Sequence, residues 1–348
     1  LVFIIAITGS LYAFKEEIQN LTQPYRFVKV QNKPLLPPSA LKAIGEEALP
    51  GKHLHAVMYM GLEDAAKSIF YSEEEEYYYF VYINPYSGEV LKVSDEFAGF
   101  FNFILDGHFY LWLPPEIGQP VVAWTTLIFF VMVLSGLYLW WPRKKNGRKQ
   151  RFTIKWNARW RRKNYDLHHV LGFYVCWLAL IFIITGLVWG FQWFNKGYYA
   201  LISGGKTFVE YQEPPSVYRS PETGSLPVID KIWLRMLAEY PEAGSIEIHI
   251  PEDSLSAIAA NANPDPMTYW QIDYRYFDQY SLEELPVEHM WGRYQETSVS
   301  DKLMRMNYDI HIGSIFGLPG KILAFFASLI IASLPVTGFL IWWGRRNK

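Results

Sequence analysis

Of the eight histidines in this 348-residue chain, His108, His168 and His311 stand where polar sequence turns into a long apolar run. Imidazole is the side chain best suited to hold a transition metal without help from thiolates. The single cysteine, Cys176, supplies none of that help: one thiol excludes an internal disulfide framework, a cysteine-rich zinc site, an iron–sulfur cluster and C-x-x-C-H attachment of a c-type haem. His108 and His311 each precede an apolar run of the same direction, which predicts two imidazoles at one depth on facing helices. Six-coordinate haem iron needs that arrangement above and below its plane. His168, in Tyr165-Asp166-Leu167-His168-His169, opens a run of the opposite direction and belongs to a second haem site at the other face. Its neighbour His169 points about 100° away on a helix and is the weaker ligand. The remaining histidines that bear on metal binding, His53, His55, His249 and His289, lie in polar segments. In His53-Leu54-His55 the alternation places both imidazoles on one strand face, but no third ligand is near in sequence, so these four read as solvated strand residues.

The elements that must position these groups follow from the apolar runs. A helix needs roughly 20 apolar residues to cross a hydrocarbon core of ~30 Å. Residues 121–141, 170–194 and 322–343 meet that length, while residues 1–14 are equally apolar but cover only about 21 Å at ~1.5 Å per residue. We read 1–14 as the second half of a helix, with no basic region before it and no small-x-small site after it to suggest a signal peptide. From Arg143 to Lys163 the chain carries eleven Lys or Arg and no acid, and it ends in Arg345-Arg346-Asn347-Lys348. The positive-inside rule puts both on the cytoplasmic side, and Trp140-Trp141 and Trp342-Trp343 fit an interfacial aromatic belt. The expected layout is a first transmembrane helix at 1–14, a periplasmic domain at 15–119 and a second helix at 120–142. A basic cytoplasmic loop at 143–165, a third helix at 166–194, a second periplasmic domain at 195–318, a fourth helix at 319–344 and a tail at 345–348 complete it. The fold class is thus a mainly α membrane protein, a four-helix transmembrane bundle with two periplasmic α+β domains. A net charge of -2 argues against a nucleic-acid partner.

Internal repeats tie the histidines to the spans. Ser135-Gly136-Leu137-Tyr138-Leu139-Trp140-Trp141-Pro142-Arg143 matches Thr337-Gly338-Phe339-Leu340-Ile341-Trp342-Trp343-Gly344-Arg345 at an offset of 202, as Gly118 matches Gly320. One gap brings His108 onto His311. The first and third spans pair at an offset of 177, Ile7-Thr8-Gly9 with Ile184-Thr185-Gly186. Each span therefore carries a Ser/Thr-Gly pair, which either packs helices closely through small residues or leaves room for a flat macrocycle. The same offset carries His168 to a point about ten residues before Leu1, where we expect the natural protein to hold a further haem ligand.

A histidine, a Gly-containing loop and a span ending in Ser/Thr-Gly-x-x-x-Trp-Trp, together with Asp166-Leu167-His168-x-Val170-Leu171-Gly172, resemble the PepSY-associated transmembrane family of iron-regulated membrane proteins. Asn84-Pro85-Tyr86-Ser87-Gly88-Glu89 resembles the hairpin turn of a PepSY domain, with Tyr77 to Ile83 as the strand before it and Pro38 to Leu49 as its helix. Thr268 to Phe277 looks like a degenerate second copy. The resemblance implies a multi-pass protein of the bacterial inner membrane with two PepSY-like domains. It also implies a ferric-siderophore reductase with two b haems, held here by His108, His311 and His168. Electrons from a cytoplasmic or membrane donor would reach a ferric siderophore or other ferric chelate outside. Hard oxygen chelators hold ferric iron better than ferrous, so one electron releases the metal. Aromatic runs such as Tyr77-Tyr78-Tyr79-Phe80 offer a docking surface, though strand core is their ordinary use. The competing class is a PepSY-domain binding or regulatory membrane protein without redox activity. No H-E-x-x-H, phosphate loop or Ser/His/Asp signature suggests hydrolysis or nucleotide chemistry.

Overall fold

The computed structural model describes residues 1–141, 151–219 and 226–346. Outside the described residues lie Pro142-Arg143 of the repeat, five of the basic-loop cations, residues 220–225 of the second inter-span segment, and Asn347-Lys348. In chain order come helices α1 (Val2–Tyr12), α2 (Lys15–Thr22) and α3 (Pro38–Ala48), then strands β1 (Leu54–Tyr59), β2 (Ala66–Ser72), β3 (Tyr77–Ile83) and β4 (Val90–Asp95). Helices α4 (Gly99–Phe109), α5 (Pro115–Trp140), α6 (Trp160–Gly190), α7 (Gln192–Ser203) and α8 (Val228–Glu239) follow. Strands β5 (Ser245–His249), β6 (Ile258–Asn263), β7 (Asp273–Phe277) and β8 (Glu284–Leu285) precede helices α9 (Val299–Arg305), α10 (Asn307–Ile312) and α11 (Gly317–Arg346). The chain divides into two units: Leu1–Lys15, Phe100–Gly205 and Asn307–Lys348 in one, Glu16–Gly99 and Lys206–Met306 in the other.

In the first unit α5, α6 and the stretch Ser314–Arg346 are long and apolar enough to cross a membrane, and α1 is a shorter apolar helix. Helix α1 packs on α11, α11 on α6 and α6 on α5, with a briefer contact between α1 and α5. Small residues let α6 and α11 approach, with Ala179 and Ala327 beside Val175 and Ile331. Helix α6 begins at Trp160, well before its apolar run. Its polar first turns hold together because Asp166, almost fully buried, is paired one turn back with Arg162 at 2.9 Å. His168 therefore lies inside a continuous helix. His108 and His311 instead sit on the separate short helices α4 and α10. Pro114 and Pro115 start α5 afresh, and Gly313 and Gly317, both at positive φ, break α10 from α11.

The second unit is built on one antiparallel sheet of order β4-β3-β2-β1-β5-β6-β7-β8. Each inter-span segment contributes a helix followed by four strands, α3 then β1 to β4 and α8 then β5 to β8. The halves join edge to edge where β1 pairs with β5, from Ala56 opposite His249 to Tyr59 opposite Ile246. Neither half is left with an open central edge. Leu41 of α3 and Ile232, Trp233 and Met236 of α8 close over Val57, Phe70, Ile248 and Phe277 in a single core. Each such side chain is worth about 1.5–3 kcal/mol when fully buried. Asp230 at the start of α8 accepts from the backbone N–H and the hydroxyl of Ser39 in α3, at 2.8 and 2.6 Å. The turn after β3 has Gly88 at φ 78, a conformation that glycine adopts without strain.

Candidate functional site

Each of the three boundary histidines rests on a Thr-Gly pair of another helix. His108 of α4 reaches α1, where its Nδ1 lies 2.9 Å from the carbonyl of Ile5 and 3.3 Å from the Thr8 hydroxyl. His311 of α10 reaches α6, with Nδ1 2.7 Å from the Thr185 hydroxyl. His168 of α6 reaches α11, with Nδ1 2.9 Å from the Thr337 hydroxyl. The three hydroxyls have their own protons committed to the carbonyl one turn back: Thr8 to Ile4 at 2.8 Å, Thr185 to Ile181 at 2.7 Å and Thr337 to Ser333 at 3.0 Å. A hydroxyl that has given its proton away accepts, so Nδ1 of the imidazole is the donor. Nε2 is then the nitrogen with the lone pair, the tautomer a metal requires.

The glycine of each pair leaves space for the ring. A Cβ at Gly9 would stand 2.8 Å from Cε1 of His108, one at Gly338 3.3 Å from Cε1 of His168, and one at Gly186 3.6 Å from Cε1 of His311. Three of the four Ser/Thr-Gly pairs thus seat an imidazole, a use that the repeat alone did not suggest. At Gly136, in the fourth pair, a Cβ would meet nothing within 4 Å.

A second repeat holds α4 and α10 in place. Gly118 at the start of α5 touches the backbone of Tyr110, and Gly320 of α11 touches that of Gly313; a Cβ would come within 2.2 Å and 2.1 Å of the respective carbonyl oxygens. The loops after the histidines are clasped backbone to backbone, which only glycine permits. On the α4 side Leu111 and Trp112 adopt positive φ to make the turn, a strain of the kind that collects at functional sites.

These supports bring His108 and His311 together: their ring centroids are 6.1 Å apart with 68° between the planes. Both line an apolar cavity of about 430 Å³ whose walls include Ala6, Gly9, Ala123, Ala179 and Gly186, with Trp189 5.3 Å from the His311 ring. That volume lies within the ~300–1,000 Å³ of cofactor pockets. His168 belongs to a different place, beside Thr337 and Gly338. His169 turns back on its own helix, with Nδ1 2.8 Å from the Tyr165 carbonyl and its ring stacked on Tyr165 at 4.0 Å. In the second unit His289 packs between Tyr211 and Tyr276 and accepts from the N–H of Trp291 at 3.2 Å. His53 precedes β1, whereas His55 meets His249 across the β1–β5 seam at 3.2 Å. That contact joins residues far apart in sequence, which is why alternation within one segment missed it. The threonines were visible in the sequence as a repeat but not as partners for imidazole.

A family model described as PepSY-associated TM region matches residues 1–345. No curated protein matches the chain.

Proposed function

Because the chain belongs to the PepSY-associated transmembrane family, matched over residues 1–345, we propose that it is a b-haem oxidoreductase of the bacterial inner membrane. In this reading a haem held by the chain's histidines would supply single-electron transfer between a donor on the cytoplasmic side and a ferric chelate, such as a ferric siderophore, on the periplasmic side. The observation that carries it is the His108–His311 pair. Two metal–nitrogen bonds of ~2 Å plus half an imidazole on each side amount to roughly 6 Å between ring centres, and the rings stand 6.1 Å apart. Their planes are free to differ, since each ring can rotate about its own metal–nitrogen axis. His108 and His311 would hold one haem. The hydrogen bonds at Nδ1 would fix ring orientation and raise the basicity of Nε2. The apolar walls would keep water from the iron and so help set its potential. His168, held by Thr337 in the same tautomer, would be a ligand of a second haem. In the second unit, the two PepSY-like halves of the sheet would offer the outer docking surface.

The full chain purified in detergent from haem-replete cells should show a low-spin, six-coordinate b-type spectrum. His108→Ala and His311→Ala should abolish the same haem, with little further loss in the double variant, since bis-imidazole ligation fails when either partner goes. A colourless preparation would favour a binding or regulatory protein of the same family. Independent, additive losses would refute the pairing.

A further inference from the structure

A second histidine pair lies in the other unit, at the seam where the two halves of the sheet join. The register of β1 against β2 slips between Leu54 and Ala56, so His55 is the extra residue of a β-bulge. Bulges re-aim side chains and recur beside functional sites. The N–H of Ile250, just beyond β5, donates to the His55 carbonyl at 2.8 Å and fixes the backbone there. The bulge brings His55 Nε2 to 3.2 Å from His249 Nδ1, with the rings nearly perpendicular at 87°. Behind His249, its Nε2 stands 3.7 Å from the carboxylate of Glu247 and 3.1 Å from the side-chain amide of Asn261. Strand alternation puts Glu247 and His249 on the face opposite Ile246 and Ile248, which belong to the core beneath α3 and α8.

We infer that His55 and His249 form a binding site for a divalent first-row transition ion, independent of the histidines in the apolar helices. Two nitrogens bound to one metal at ~2.0–2.1 Å stand roughly 3 Å apart, between a square corner and a tetrahedral edge. The 3.2 Å separation already meets that condition. Binding a metal at His249 Nδ1 requires Nε2 to carry the proton, facing the Glu247 carboxylate 3.7 Å away, with the Asn261 amide turned so that its oxygen rather than its nitrogen lies against Nε2–H. Among the described residues no three His, Cys, Asp or Glu converge on one point. The protein therefore supplies two ligands, and water fills the other positions. Those positions open into a cavity of about 200 Å³ that Glu213 also lines, with one of its carboxylate oxygens accepting from the Ala257 N–H at 2.9 Å. Its carboxylate supplies charge that offsets the cation, and the ligand set favours borderline ions such as Cu²⁺, Ni²⁺ and Zn²⁺ over Mg²⁺ or Ca²⁺.

The test titrates Cu²⁺ into the full-length protein, purified in detergent through a tag without histidine, and follows it by electron paramagnetic resonance. The wild-type chain should take up one copper whose hyperfine pattern reports two nitrogen ligands. His55→Asn and His249→Asn should each weaken binding by more than tenfold, Glu247→Gln by roughly tenfold or more, and His53→Asn should leave it unchanged. Far-ultraviolet circular dichroism and the gel-filtration profile should be the same in all variants, which reports that the sheet unit carrying the substitutions folds, and copper uptake is read whether or not the helical unit holds haem. Copper uptake by the His55→Asn/His249→Asn double variant equal to that of wild type would overturn the inference. So would a spectrum without coupled nitrogens, which would mean that the 3.2 Å contact is only an imidazole–imidazole hydrogen bond.

Discussion

Alanine at the four repeat glycines should produce a graded loss of histidine seating in the order set by the room at each. At Gly9 the added Cβ would meet Cε1 of His108 at 2.8 Å, inside the 3.4 Å or more of ordinary contact, so the ring must move by about half an ångström. That ring is tied to the Ile5 carbonyl and the Thr8 hydroxyl, and it cannot shift without loosening both. Overpacking of this kind costs about 1–3 kcal/mol, which is roughly five- to 150-fold in the population of the native ring position. At Gly338 the approach is 3.3 Å and at Gly186 3.6 Å, while at Gly136 nothing lies within 4 Å. All four changes gain helix propensity by about 1 kcal/mol, so thermal stability alone will not rank them. If the chain holds haem as proposed, haem content and the low-spin fraction of the purified variants will. The expected order of loss is Gly9→Ala, then Gly338→Ala, then Gly186→Ala, with Gly136→Ala like wild type. Equal haem content in Gly9→Ala and Gly136→Ala would refute the idea that these glycines exist to seat imidazoles.

Removing the acceptor behind His311 tests the same seat from the other side. Thr185→Val keeps the shape but gives Nδ1 no hydroxyl, and should weaken haem retention ~10–100-fold, whereas Thr185→Ser should restore it. Gly118→Ala and Gly320→Ala should lower the yield of folded protein, read by gel filtration, because the clash is with a backbone carbonyl that has nowhere to go. The sheet unit should lose stability in acid through Glu284. Burial alone would raise its pKa, but hydrogen bonds from Arg293 and Arg275 outweigh that and hold it at about 2, below its ordinary 4.5. A carboxylate depressed on folding adds stability that is complete above about pH 4.5 and is lost as the pH falls toward about 2. Glu284→Gln should remove that slope from acid unfolding followed by circular dichroism. An unchanged slope would show that the Arg275–Glu284–Arg293 cluster does not govern it.

Run length and period were enough to find the apolar helices, since a stretch such as 121–141 is set by local composition. The strand Tyr77–Ile83 and its turn at Gly88 were legible through the resemblance to a PepSY hairpin, because a strand and a Pro/Gly turn are properties of a few consecutive residues. Repeats within the chain also made His108 and His311 equivalent, and marked the Ser/Thr-Gly pairs as important. Which helix each pair serves was not legible. Thr8-Gly9 seats a histidine from α4, Thr185-Gly186 one from α10, and Thr337-Gly338 one from α6, and no periodicity within a helix says which neighbour it will face. The sheet shows the same limit. Alternation placed strands in both inter-span segments, yet the pairing of β1 with β5 that makes them one sheet, and sets His55 beside His249, joins residues up to 194 apart in sequence. Contacts of that range are decided by which apolar faces and strand edges can be satisfied together in the folded chain, a condition that belongs to the whole structure and to no single segment.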